Sequence, residues 1–171
     1  MIREVLKYPH PALKKTAAAI SAITPELRAL AADMLETMYA NEGIGLAAPQ
    51  IGESIRMIVM DVSRQEDPAD VRVYVNPKLE LTGEEVELEE GCLSVREYRQ
   101  TVRRASSVRL TALDLDGNPV ETVAEGLPAV CLQHECDHLD GKLFIDRISR
   151  LKRSLYNAKV KKWQQEENQH A

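Results

Sequence analysis

Between residues 23 and 43, apolar side chains recur every three or four positions, with Leu27, Leu30, Ala31, Met34, Leu35 and Met38 on one face of a 3.6-residue period. This stripe predicts a helix with Thr24 as N-cap, Pro25 at the first helical position and Gly43 as its stop. Its Met and Leu residues read as core and carry no chemistry. The period then shortens. "IRMIVMDV" (55–62) and "VRVYVNPKLEL" (71–81) are strand-like runs on either side of the polar loop "SRQEDPAD" (63–70). "SSVRLTALDLDGNPVETV" (106–123) reads as two strands about a turn at Asp116 and Gly117, so antiparallel pairing is expected. A second helix is expected in "GLPAVCLQHECDHLDG", opened by Pro128 and closed by Gly141. It is apolar on several faces, which predicts that other structure surrounds it. Near the end, Ile148, Leu151, Leu155 and Ala158 keep a three-or-four spacing and predict a C-terminal amphipathic helix with a basic outer face.

Helices with clustered antiparallel strands give an α+β fold class: antiparallel sheets around a central helix. At 171 residues with 44% hydrophobic and 29% charged side chains, one domain accounts for the chain. Residues 1–146 form the expected catalytic domain, with 147–171 as a basic helix and tail packed on it or extending from it. No apolar run is long enough to span a bilayer, and "MIREVLKYPH" lacks a secretory signal, so a cytoplasmic protein without membrane partners is expected. Three cysteines, an odd number, favour thiols that are buried, reactive or metal-bound over a disulfide framework. A 4% aromatic share speaks against base-stacking nucleic-acid readers. The net charge of -5 is uneven: residues 147–162 hold seven Lys or Arg and no acid, leaving -12 for the remainder. A solvated helix face is the plainer explanation, and docking to an acidic partner the sharper one.

The chemistry concentrates in "HECDH". His134 and His138 lie one helical turn apart on the same face, and Glu135 sits about 100° round the helix from His134. This is the HExxH arrangement of metallohydrolases. Two histidines do not complete a metal site. Downstream, His170 stands one residue from the end and Asp140 faces away, while His10 between two prolines suits a surface turn. Cys136 points to the opposite side and reads as a small core hydrophobe. Cys131 shares the face of the histidines, and Cys92 lies beside a glycine in "EEGCLS". Local physics leaves the third ligand open between these two, with Cys92 ahead.

Three segments together resemble the peptide deformylase family: "GIGLAAPQ" (43–50), "EGCLS" (90–94) and "QHECDHLDG" (133–141), in that order, with "LKYPHPALKK" similar to the family's opening segment. The resemblance implies that family's fold and its reaction, hydrolysis of the N-formyl group from the initiator methionine of nascent polypeptides. It implies Cys92, His134 and His138 as ligands of one divalent ion, Fe2+ by preference, with Ni2+, Co2+ or Zn2+ able to substitute. Glu135 is then the proton carrier, first base and then acid, while the Gln50 amide and the Leu93 backbone N–H hold the oxyanion. Gly45 and Gly91 are implied to line a cleft where the substrate pairs as an added strand. Ile44, Leu88, Leu127, Val130 and Cys131 would wall the methionine pocket, and Arg99 would contact the substrate backbone. The sequence departs from many relatives at His10, at Arg96 and at Cys136, none of them in the implied chemistry. The chain is expected to act as a monomer, and the basic helix could dock on the ribosome, where the substrate emerges.

Two rival functions use the same residues. A metallopeptidase cutting internal bonds would need a downstream ligand, and a non-catalytic site closed by Cys92, Cys131, His134 and His138 would leave Glu135 idle.

Overall fold

The computed structural model describes residues 1–63 and 69–170. Helix α1 (Pro25–Ala40) begins as the pattern predicts, with the Thr24 hydroxyl accepting from the Leu27 N–H at 3.1 Å. Its end differs. The left-handed turn falls on Glu42 (φ 56°), and the Gly43 N–H then closes on the Met38 carbonyl at 2.9 Å. Gly43 serves close approach instead, since a Cβ there would stand 3.0 Å from a Leu93 methyl carbon. Met34 and Met38 are fully buried and pack among Leu46, Met57 and Val59 of the sheet.

Five strands make one antiparallel sheet in sequence order: β1 (Gly45–Ala47), β2 (Met57–Asp61), β3 (Val71–Cys92), β4 (Val95–Leu113) and β5 (Pro119–Glu125). The α+β class with antiparallel pairing expected from sequence holds, and the strands form one meander. Of the predicted loop 63–70, residues 64–68 lie outside the described residues. The turn between β4 and β5 closes at Gly117, whose φ of 81° suits glycine.

The main surprise is the length of the β3–β4 hairpin. β3 runs beyond residue 81 to Cys92, and β4 starts at Val95 instead of Ser106. Glu-rich "GEEVELEEG" has low intrinsic strand preference. Pairing across strands overrides it: Arg103 Nε donates to Glu87 at 3.0 Å and Arg99 Nε to Glu89 at 2.8 Å on the exposed side. The opposite side buries Val102 and Val95.

Helix α2 (Leu127–Leu139) is the motif helix. It packs against the sheet and buries Ala129, Val130, Cys131, Leu132, Glu135, His138 and Leu139, so nearly every face is covered. Its C-terminus is closed by the Gly141 N–H on the His138 carbonyl at 3.2 Å and the Lys142 N–H on the Asp137 carbonyl at 2.9 Å. Gly141 takes φ 74°, and a Cβ on it would stand 2.4 Å from the Lys14 carbonyl oxygen. No residue but glycine fits that end.

Helix α3 (Arg150–Gln169) presents a different face to the body than the aliphatic spacing implied. Tyr156 and Val160 are buried and Trp163 half-buried, whereas Leu151 and Leu155 are 70% and 63% exposed. Aromatic packing decides the rotation. The Tyr156 ring stacks on Tyr98 at 4.5 Å between centroids, and its hydroxyl donates to the Arg96 carbonyl at 2.8 Å. Ile148 precedes the helix and still packs in the same cluster. Among the described residues, no helix is long and apolar enough to cross a membrane.

Candidate active site

Three chain segments converge on one cleft of about 890 Å³. β1 and the 3-10 turn Ala48–Ile51 bring Gly45 and Gln50, the end of β3 brings Glu90, Gly91 and Cys92, and α2 brings Cys131, His134 and Glu135. His138, one turn along α2, lies fully covered behind them.

The donor atoms of Cys92, His134 and His138 all lie within 4.8 Å of one another. Cys92 Sγ is 3.5 Å from His138 Nε2. A thiolate with two imidazoles suits a first-row divalent ion, and three protein donors leave a position free for a reactant. A polar atom beside them supports that fit. Glu135 Oε2 is buried with no hydrogen-bond partner, which is expensive in a site holding nothing polar. The sequence left Cys131 open as a ligand, but it stands apart, with Sγ 3.9 Å from the Ile44 carbonyl and burial pushing its thiol well above the ordinary range. Asp140 pairs with Arg56 at 3.0 Å, and His10 and His170 are exposed away from the cleft.

A buried charge network stands behind His134. Glu90 Oε1 is 2.8 Å from His134 Nδ1, and both carboxylate oxygens accept from Arg104 at 2.8 Å. Arg104 also donates to Asp137 at 2.7 Å, and Asp137 in turn accepts from Arg147 at 2.6 and 2.8 Å. Burial raises the pKa of Glu90, but the bonds from Arg104 and His134 outweigh it and hold the carboxyl at about 2. An anionic Glu90 accepts a hydrogen bond from Nδ1–H and so leaves His134 Nε2 as the free lone pair. Sequence reading missed Glu90, Arg104, Asp137 and Arg147. The available signal was Arg104 itself, two residues from the buried Val102 and so on the inward side of β4, where an unpaired arginine is not tolerated.

Glu135 is 3% exposed, and burial, reinforced by the charges of Glu90 and Asp137 against that of His134, pushes its carboxyl up to about 7. Gly45 lies against it: a Cβ there would stand 3.0 Å from Glu135 Cγ, from Glu135 Cδ and from Cys131 Sγ. Gln50 is fully buried and oriented by its neighbours. Its Oε1 accepts from the Ala47 N–H at 2.9 Å, which turns Nε2 toward Ser94 Oγ at 3.1 Å and Cys92 Sγ at 3.6 Å. Ile44, Leu88, Leu127, Val130 and Cys131 form the apolar part of the wall, with Gly45 and Gly91 along the cleft. Arg99 reaches across Gly91, whose added Cβ would stand 2.7 Å from its guanidinium, while Glu89 holds that guanidinium at 2.8 Å. Glu42, Glu97 and Tyr98 also line the mouth and were not singled out from sequence.

The sequence profile of the polypeptide deformylase family matches residues 2–154. A peptide deformylase of Phenylobacterium zucineum is 53% identical over 162 residues, covering 94% of this chain and 96% of that one. Among solved structures, a peptide deformylase from Legionella pneumophila superposes with a TM-score of 0.90 at 43% identity, covering 98% of both chains. A Met-Ala-Ser-bound peptide deformylase from Acinetobacter baumannii matches with a TM-score of 0.80 at 40% identity, covering 86% of this chain and 99% of that one.

Proposed function

From the premise that this chain belongs to the polypeptide deformylase family, we propose how its own residues carry out the family's reaction. The chain is a hydrolase that removes the N-formyl group from the N-terminal formyl-methionine of newly made polypeptides and releases formate. The observation that carries the mechanism is the meeting of Cys92, His134 and His138 with a buried, partly unpartnered Glu135 at the floor of an apolar cleft.

Cys92 and the two imidazoles would hold one divalent ion, Fe2+ in our assignment, with Ni2+, Co2+ or Zn2+ accepted by the same donors. Bound there, the ion supplies Lewis acidity and makes water a usable nucleophile near neutral pH. Glu135 takes the proton of the attacking water and returns it to the departing amine, a dual role suited to a carboxyl with a pKa of about 7. The Gln50 amide, fixed by the Ala47 N–H, and the Leu93 backbone N–H donate to the oxygen that becomes negative as water adds. The methionine side chain enters between Ile44, Leu88, Leu127, Val130 and Cys131, an apolar slot suited to an unbranched thioether. Downstream peptide runs past Gly45 and Gly91, with Arg99, steadied by Glu89, on its backbone. The Met-Ala-Ser bound to the Acinetobacter enzyme is a peptide of this kind.

We place residues 1–146 as the catalytic domain and 147–171 as a basic C-terminal helix and tail packed on it or extending from it, in a monomer acting in the cytoplasm. The exposed side of α3 combines Leu151 and Leu155 with Lys152, Lys159 and Lys162, which suits docking to the ribosome near the emerging substrate. Formate release from formyl-Met-Ala-Ser by the metal-loaded chain tests the catalytic reading. Glu135→Gln should keep the metal and lose about 10²-fold or more in kcat. Unchanged turnover in that variant would remove Glu135 as proton carrier. Ribosome co-sedimentation of a Lys152, Lys159 and Lys162 to Glu variant at two salt concentrations tests docking, with equal binding counting against it.

A further inference from the structure

The turn that carries the Cys92 thiol lacks the residues that normally hold such a turn. Cys92 pairs with Val95, which leaves Leu93 and Ser94 as a two-residue hairpin loop. Loops of that length favour positive φ and so Gly, Asn or Asp. Neither Leu93 nor Ser94 has a positive φ, and the left-handed residue comes later, at Glu97 with φ 52°. The ladder is also irregular immediately before the turn, with a register shift between Gly91 and Cys92. Local chemistry therefore does not fix this loop.

Groups from outside the hairpin supply what it lacks. Lys7 Nζ donates to the Leu93 carbonyl, the Tyr8 N–H to the Ser94 carbonyl at 2.8 Å, Gln50 Nε2 to Ser94 Oγ at 3.1 Å, and the Tyr156 hydroxyl to the Arg96 carbonyl at 2.8 Å. The N-terminal segment thus holds both residues of the loop, and α3 holds its far flank. Of these bonds only the one from Lys7 is charge-assisted, and it falls on the carbonyl of Leu93 itself. Lys7 lines a cavity of about 130 Å³ together with Arg96, Tyr156 and Trp163, so the ammonium is partly desolvated.

We infer that Lys7 is a positioning residue for the Cys92–Leu93 segment: its bond to the Leu93 carbonyl sets the orientation of the loop, and with it the Cys92 thiol and the Leu93 N–H. The effect on turnover rests on the reading of that N–H as an oxyanion donor. Lys7 does not line the cleft and acts through the loop.

The test compares Lys7→Met, which keeps the reach and loses the donor, with Lys7→Arg, which keeps a cationic donor. Both are full-length proteins loaded with Co2+, whose thiolate absorption band reports on Cys92 independently of turnover. Lys7→Met should lower kcat on the order of tenfold, part of what a whole oxyanion donor supplies, with KM for formyl-Met-Ala-Ser within about twofold. Its Co2+–thiolate band should move, its melting temperature and metal content should stay near wild type, and Lys7→Arg should restore both band and kcat. Tyr156→Phe, which removes only the hydroxyl on the loop's far flank, should move the band less. A shifted band with unchanged kcat upholds the positioning of Cys92 and strikes Leu93 from the oxyanion donors. An unchanged band and unchanged kcat in Lys7→Met overturn the inference, as does a kcat loss that Lys7→Arg fails to restore or that follows metal loss.

Discussion

Adding one methyl group at Gly45 probes how tightly the cleft floor is tied to proton transfer. Gly45 has no positive φ, so alanine brings no backbone strain there and its effect comes from the Cβ alone. That Cβ would meet Cys131 Sγ, Glu135 Cγ and Glu135 Cδ, each at 3.0 Å. Ordinary carbon contacts lie near about 3.5–4.0 Å, so relief requires a shift of roughly 0.5–1 Å. Cys131 can turn its sulfur aside. Glu135 presents two consecutive atoms and must move its carboxylate as a unit. Displacing a catalytic group by about 1 Å is worth on the order of 10²-fold in rate, or about 2.7 kcal/mol of barrier. Gly45→Ala should therefore lose ten- to a hundredfold in kcat for formyl-Met-Ala-Ser, by the order-of-magnitude rule for misplaced groups. Its metal content should match wild type, because none of the three contacts involves a donor of the Cys92, His134 and His138 group. Steady-state formate release with metal analysis of the same sample decides it. A kcat within about threefold of wild type would falsify the claim that Gly45 is required to seat Glu135.

Four other substitutions separate parts of the structure. Glu90→Gln removes the anion that His134 and Arg104 share, and should weaken metal retention by about 10–100-fold in a chelator competition. It should also destabilise the fold by roughly 3–5 kcal/mol in denaturant titration, since Arg104 stays buried; undiminished metal affinity would show that His134 needs no such anchor. For Asp61, burial raises the pKa, but bonds from Ser63 and the Tyr39 hydroxyl outweigh it and hold it below the usual 3.8. The carboxylate thus contributes stability above pH 3.8 that is lost as the pH falls toward its lower folded value. Asp61→Asn should flatten that acid limb in melting curves, and an unchanged limb would exclude Asp61 as a cause. On α3, Trp163→Ala should destabilise by about 2 kcal/mol, while Leu155→Ser should stay within about 0.5 kcal/mol, and the reverse order would mean the helix packs by its aliphatic side after all.

The contrast on α3 marks where sequence pattern stops being informative. α1 was legible from its period and its Thr24 cap, though not at its end, and α2 because period and breakers agree at both ends, as with Pro128 and Gly141. On α3 two apolar stripes compete, and the choice was made by Tyr8 and Tyr98, which lie far away in the chain, together with Phe144. The β3–β4 hairpin was half missed because its Glu and Arg residues are favourable only once they face each other. His134, Glu135 and His138 announced themselves through helical spacing. Cys92 could not be separated from Cys131 by local physics, because the end of β3 reaches α2 only in the folded chain. The pairing of Glu90 with Arg104 was not legible for a related reason: it depends on the register of strands that the pattern did not reveal.

The enclosure of α2 also bears on how such an enzyme could be re-engineered. Its faces are occupied by the sheet, its far end is closed against the Lys14 carbonyl, and its cleft side is shared by Cys131 and Glu135 in contact with Gly45. A library aimed at widening the proposed methionine slot from this helix would disturb Glu135, the proton carrier we propose, with nearly every substitution. Variation at Leu88, Glu97 or Arg99 changes the cleft from strands whose side chains reach solvent. New substrate preferences should therefore be recovered from the rim, with the α2 sequence of the parent left intact.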